Sequence, residues 1–158
     1  MKLRDIISYI IIIVAVILIR TFLVTPIKVN GDSMNNTLYN GELMFLKKYA
    51  ASNIKRFDIV VLQYKDEKII KRVIGMPKEE IEYKDNELYI NGSLIEEKYG
   101  LGNTKDFKDY CGDSEYYVMG DNRGNSLDSR IFGCVKKDKI LGTTDFVFFP
   151  FSKIGKVE

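Results

Sequence analysis

The chain contains no histidine and no tryptophan in 158 residues. Without histidine a Ser-His-Asp triad cannot be built. Zinc-site patterns and hydrolytic metal centres that rest on imidazole ligands go with it. Cysteine is scarce: Cys111 and Cys134 are the two present. Two cysteines make no disulfide framework, and neither lies in a C-x-x-C. They can pair if the domain lies outside the cytoplasm and their backbones approach closely, and both alternatives stay open in the sequence. Charge of one sign is lacking too. Lys plus Arg is 24, Asp plus Glu is 22, and the net charge is +2. No basic stripe with interleaved aromatics runs along the chain, so no nucleic-acid partner is expected. The pairs Lys47-Lys48 and Lys136-Lys137 read as solvated surface. There is no internal repeat, no low-complexity tract and no long amphipathic helix.

One long apolar run is present. In RDIISYIIIIVAVILIRTFLVTP the uncharged stretch Ile6 to Ile19 is interrupted by Arg20 and continued to Val24. As a helix, Ile6 to Val24 would be about 28 Å long, close to a bilayer core of about 30 Å. Arg20 lies near one end, where its side chain can reach head groups. Lys2 and Arg4 precede the run, which places the N-terminus in the cytoplasm and the remainder outside. A cleaved signal peptide has the same basic start. However, the run is long and ends in LVTPIKV, without a small-x-small site. A retained single-pass anchor over residues 1–25 is therefore expected, carrying an extracytoplasmic domain over residues 26–158.

That domain reads as β. ELMFLKK (42–48), FDIVVLQ (57–63), EKIIKRVIG (67–75), EIEYKD, NELYIN, EYYVMG (115–120) and ILGTTDFVFF (140–149) have strand character, with Asp85-Asn86 as a hairpin turn. KYGLGNTKDFKDYCGD reads as a loose segment. The expected fold is mainly β: an antiparallel β-sheet catalytic domain on one transmembrane helix.

Ser33, in NGDSMNNTL, sits in a turn just beyond the apolar run. If it is a nucleophile, its base must be Lys, Asp, Glu or Tyr, and Ser-Lys pairs are a known solution. An ordinary lysine will not serve, because with a pKa near 10.4 only about one in 2,500 is neutral at pH 7. The base must be desolvated or placed beside another cation. Lys71 stands out: it interrupts the apolar run KIIKRVIG, with Ile69 and Val73 on its face of the strand and Arg72 on the other. A third stretch, MGDNRGNSLDSRIFG (119–133), gathers two aspartates, two arginines, two asparagines and two serines. A calcium loop starting at Asp121 fails, since its sixth position is Ser126 and its twelfth Phe132. The stretch suits either a turn-rich loop held by its own side chains or a shell that orients a lysine.

Taken together, these segments resemble the type I signal peptidases, the bacterial leader peptidases, over nearly the whole chain. NGDSMNNTL is similar to the nucleophile box, usually S-M-x-P-T-L; FDIVVL to the strand box that follows; IIKRVIGMPKE to the lysine box. MGDNRGNSLDSRIFG matches the last box closely. Short length and a single anchor resemble the Gram-positive-type members. The resemblance implies Ser33 as nucleophile and Lys71 as general base. It implies Ser126 hydrogen-bonded to that lysine, Asp128 holding the loop with Arg130, and Asp121 facing Arg72. The Ser33 N–H would supply part of the oxyanion hole. Some members add a serine hydroxyl two residues earlier, where this chain has Gly31. Val29, Met34 and Ile70 fall where the family lines shallow pockets for the small residues one and three before the cleaved bond. Two positions depart: Asn36 replaces the proline, loosening the turn after Met34, and Phe57 replaces the usual glycine before Asp-Ile-Val.

The resemblance further implies signal-peptide-bearing preproteins as substrates, a lipid bilayer as surroundings, and neither metal nor cofactor. Met34 and the FVFFPF run (146–151) are candidates for lipid contact, with core packing the expected role of the latter. Two rivals remain: an anchored, non-catalytic β domain that binds surface partners, and a Ser-Lys self-cleaving protease.

Overall fold

The computed structural model describes residues 3–22 and 24–157, with side chains for 4–18 and 24–157. The apolar run forms α1 (Leu3–Phe22). Its large apolar side chains from Ile6 to Leu18 are all exposed, so no face of the helix is turned to a protein core. Among the described residues no helix is long and apolar enough to cross a membrane. The remainder of the expected span, at positions 19–23, lies outside the described side chains. Val24 belongs to a strand and not to the helix. The reason is local: Pro26 disfavours the helical conformation at Thr25, and β-branched Val24 and Thr25 suit an extended chain.

That strand, β1 (Val24–Lys28), pairs along its length with β2 (Leu43–Lys47). β3 (Ile59–Tyr64) and β4 (Glu67–Gly75) form a hairpin with Tyr64 opposite Glu67. Next come β5 (Glu80–Lys84), β6 (Glu87–Ile90), β7 (Ser93–Ile95) and β8 (Phe107–Tyr110), which make a separate sheet in the order β7-β6-β5-β8. Then follow β9 (Glu115–Met119), a one-turn helix α2 (Ser129–Phe132), β10 (Val135–Lys136), β11 (Ile140–Thr143), β12 (Phe146–Phe149) and β13 (Gly155–Lys156). They complete a nine-stranded sheet in the order β10-β9-β4-β3-β11-β2-β12-β13, with β1 also on β2. The named strands pair antiparallel throughout.

The strand expected over 140–149 is two. β11 pairs with β3 and β2, and its register slips at a bulge between Ile140 and Gly142. β12 pairs with β2 and β13. β8 lies in the segment expected to be loose. Most of its side chains are exposed, so it carries no apolar alternation and is held by backbone pairing to β5. The Asp85-Asn86 turn is present, and both residues take positive φ (52° and 66°), the requirement of a type I′ hairpin.

β4 is buried on both faces: from Ile70 to Gly75 every residue is inside. Ile70 joins a core cluster with Val29, Met34, Leu38 and Val61; Val73 joins another with Val60, Leu62 and Val118. Met34, at 1% exposure, cannot touch lipid. The FVFFPF run divides. Val147 is buried and Phe148 stacks on Phe45 at 4.3 Å, whereas Phe149 and Phe151 are exposed.

Cys111 and Cys134 form a disulfide with Cα atoms 5.7 Å apart. It ties the end of β8 to the chain just beyond α2. The bridge closes a loop of 23 residues, so in the chain-entropy account its removal should lower the unfolding free energy by about 3 kcal/mol. A Cys111→Ala/Cys134→Ala variant is expected to unfold at clearly lower urea concentration than the oxidised protein; coincident curves would show that the bridge constrains nothing the fold has not already constrained.

Candidate active site

The turn carrying Ser33 connects β1 to β2. The Asp32 carbonyl accepts from the Asn35 N–H at 3.1 Å, and the Met34 carbonyl accepts from Thr37 and Leu38 at 3.0 and 2.8 Å. Met34 and Leu38 plug this turn into the core at 1% and 0% exposure. Asn36 has φ 91°. Proline, locked near −65°, cannot adopt that value, whereas asparagine tolerates it. The departure from the expected proline thus goes with a different local turn, not merely a looser one.

Lys71 lies on β4 at 3% exposure. Its Nζ donates to Ser33 Oγ at 2.6 Å and to the Ile70 carbonyl at 3.0 Å. Burial pushes its pKa down to about 8, while Asp128 and Asp121 pull it back up. At pH 7 roughly a tenth of such lysines are neutral, against about one in 2,500 for an ordinary one. The pair can therefore pass a proton from hydroxyl to amine near neutral pH.

The 119–133 loop surrounds this pair. Asp128 is fully buried and caps α2, accepting from the Arg130 N–H. Arg130 Nε and Nη2 donate to its two oxygens at 2.9 and 2.8 Å, and the Gly120 N–H donates at 3.0 Å. Burial pushes the carboxyl up, but Arg130, the Gly120 N–H and the nearby Ser126 hydroxyl outweigh it and hold the group below its ordinary value. Asp121 takes Arg72 Nε and Nη2 at 2.9 and 2.7 Å. This pair is almost wholly buried. Gly120 lies against both Ser33 and Ser126: a Cβ there would stand 2.4 Å from the Ser33 carbonyl oxygen and 2.2 Å from Ser126 Oγ.

Ser126 departs from expectation. Its Oγ is buried without a well-formed hydrogen bond, and it does not bond Lys71. The hydroxyl is turned against the Gly120 backbone, and Lys71 spends its bonds on Ser33 and Ile70. Phe57 takes φ 70°, a left-handed conformation that glycine reaches without strain. That explains why glycine is usual there. Here the Phe57 carbonyl accepts from Arg72 Nη1 at 2.9 Å, and its ring leans on Tyr99. Gly31, also at positive φ, donates its N–H to Asn40 Oδ1 at 3.1 Å, and the space beside its Cα is open.

A groove of about 630 Å³ runs between β1 and the β3–β4 hairpin; its lining extends from Ile70, the neighbour of Lys71, past Pro26, Ile27 and Asn30 to the charged hairpin end at Asp66, Glu67 and Lys68, and includes neither Ser33 nor Lys71. Val29 and Met34 lie in the core cluster with Ile70.

Sequence reasoning missed several participants. Thr37 Oγ1 donates to Asp121 Oδ2 at 2.5 Å and accepts from Arg72 Nη2 at 3.2 Å. Tyr99 lies over the Arg72 guanidinium at 3.6 Å. Arg123 is buried against Glu97, Tyr83 and Thr104. Asn122 donates to the Asp32 and Ser33 carbonyls, in the two peptides that flank the Ser33 Cα. Thr37 belongs to the nucleophile box and could have been marked from it. Tyr99, Glu97 and Thr104 come from a segment with no motif.

With this geometry in view, comparison with known proteins is direct. Residues 3–149 match the family model "Signal peptidase, peptidase S26". The chain is 42% identical to signal peptidase I S of Bacillus subtilis, over 94% of this chain and 90% of that protein. It is 33% identical to signal peptidase IB of Staphylococcus aureus over the same shares. A crystal structure of a signal peptidase I from Enterococcus faecalis superimposes with a TM-score of 0.54 at 35% identity, covering 58% of this chain and 96% of that one. The chain belongs to the S26 signal peptidase family.

Two predictions follow from the charges. A lysine whose folded pKa, about 8, lies below its unfolded 10.5 binds fewer protons folded than unfolded between those values. Stability should therefore rise with pH across that window, the full penalty being present below pH 8. Lys71→Met should accordingly stabilise the protein at pH 7, by about 3 kcal/mol at most, and the gain should vanish near pH 10.5. Equal gains at both pH values in denaturant titrations would show that burial does not lower the pKa of Lys71. Asp121→Asn leaves Arg72 buried without its counter-charge and should cost about 3–5 kcal/mol. Loss of less than about 1 kcal/mol in the same assay would mean that water replaces the carboxylate.

Proposed function

We propose that the protein is a membrane-bound serine endopeptidase that removes signal peptides from exported preproteins through a Ser33–Lys71 dyad. The observation that carries this reading is the 2.6 Å contact between Ser33 Oγ and a buried Lys71 Nζ. Neutral Lys71 accepts the Ser33 proton as Oγ attacks the scissile carbonyl. The Ser33 N–H stabilises the oxyanion, alone among the expected donors because Gly31 has no hydroxyl. The lysine then hands its proton to the leaving amine as the C–N bond breaks, leaving an ester on Ser33. It next takes a proton from water, whose oxygen attacks that ester; the carboxylate is released and Ser33 regains its proton. No step calls for a metal or cofactor.

Asp128 with Arg130, and Asp121 with Arg72, hold the loop around the dyad. Extended substrate lies in the groove between β1 and β4. Ile70 lines that groove and, with Val29 and Met34 packed behind it in the core, sets the shallow floor that selects small residues one and three before the cleaved bond. Residues 1–25 anchor the chain by α1, N-terminus in the cytoplasm, and 26–158 work at the outer face. The uniformly exposed aliphatic surface of α1 supports the anchor, and the disulfide supports an oxidising compartment.

The test is cleavage of a model preprotein with an Ala-x-Ala site by the detergent-solubilised protein. Wild type should cleave, and folded Ser33→Ala and Lys71→Ala variants should not. The kcat/KM should rise with pH about a midpoint near 8, the pKa of Lys71. Cleavage that survives Lys71→Ala would overturn the dyad. A folded but inert wild type would favour the binding-domain reading, and cleavage confined to its own chain the self-processing one.

A further inference from the structure

We propose that Asn122 is a positioning residue for the oxyanion donor. This rests on the acyl-enzyme reading above. The Asp32–Ser33 peptide is trans, so the Asp32 carbonyl and the Ser33 N–H point in opposite directions from one rigid plane. Whatever orients the carbonyl orients the donor. Asn122 Nδ2 donates to the Asp32 carbonyl at 3.1 Å. The backbone N–H of the same residue donates to the Ser33 carbonyl at 3.0 Å. Asn122 therefore grips both peptide groups that flank the nucleophile. The Asn35 N–H also donates to the Asp32 carbonyl, from within the turn. That bond moves with the turn, whereas Asn122 ties it to the rest of the fold. Among the described residues the Ser33 N–H itself donates to no acceptor, which leaves it available to a substrate oxygen.

Asn122 is well placed to act as a fixed point. Its two neighbours are both buried and both paired: Asp121 with Arg72, and Arg123 with Glu97. Leu101 bonds the backbone on each side, donating to the Asp121 carbonyl at 2.6 Å and accepting from the Arg123 N–H at 3.0 Å. The amide is thus carried on backbone held from two directions. The side-chain chemistry also selects it: an aspartate of the same shape has no donor for a carbonyl. Gly31 supplies no hydroxyl to share the load, so the aim of the one backbone donor matters more in this chain than where a second donor exists.

The experiment is steady-state cleavage by wild type, Asn122→Asp and Asn122→Ala, with parallel binding of a peptide boronate that forms a tetrahedral adduct on Ser33. Both variants lose the side-chain donor and keep the backbone N–H. Losing an oxyanion donor outright costs about 10²–10³ in rate; misaiming one should cost about tenfold. The expected result is kcat down about tenfold with KM unchanged, the pH midpoint of the Ala variant unchanged, and boronate affinity reduced by the same factor as kcat/KM. Binding of an uncleavable substrate peptide should be unaffected. Wild-type kcat in both variants would overturn the role of Asn122 and leave the dyad standing. A raised KM with weaker peptide binding would also overturn it, pointing to a substrate contact or a disturbed groove. A folded wild type that neither cleaves nor takes the boronate would overturn both readings together.

Discussion

The rest of the site depends on keeping a lysine amine out of water and within bonding distance of a serine. Burial outweighs the two aspartates that stand close enough to raise the Lys71 pKa, and leaves it at about 8. Each is matched by its own arginine: Asp128 by Arg130, Asp121 by Arg72. The loop thus uses these carboxylates as structural anchors.

The arginine pairs also connect the three segments that build the site. Arg72 follows Lys71 on β4 and points to the opposite face. There it meets Asp121 from the 119–133 loop, Thr37 from the nucleophile turn and the carbonyl of Phe57. One side chain therefore couples the strand of the proposed base, the turn of the proposed nucleophile and the loop between them. Because both faces of β4 are buried, neither Lys71 nor Arg72 can swing into solvent. The disulfide adds a tether just beyond α2, so the loop is held at both ends: by β9 at Met119 and by Cys134.

Apolar runs and turn chemistry made much of both sheets legible. β4 follows from a continuous apolar run, and the Asp85-Asn86 hairpin of the small sheet from residues that accept positive φ. Of the strands that escaped notice, β7 and β8 belong to the small sheet and β1, β10 and β13 to the edges of the large one. Their side chains face mostly outward, so pairing of backbone groups decides them. The split of 140–149 into β11 and β12 escaped for a similar reason: between Thr143 and Phe146 the chain leaves β3 and goes on to pair with β13, a change of neighbour that composition does not record. Val24 shows the limit of reading an apolar run by length, since hydropathy does not register that a following proline turns the chain from helix to strand.

For the site, the sequence by itself determined the available chemistry. The absence of histidine left a serine only lysine, carboxylate or tyrosine as base, and one lysine alone interrupts a continuous apolar strand. Those are local facts and needed no coordinates. Tertiary structure decided distance and direction. It brought Ser33 and Lys71, 38 residues apart, to 2.6 Å. It turned Ser126 away from the lysine and set Asn122 against the Ser33 backbone. The physical reason is that hydrogen bonds act over about 3 Å. Only the folded chain sets separations on that scale between residues so far apart in sequence.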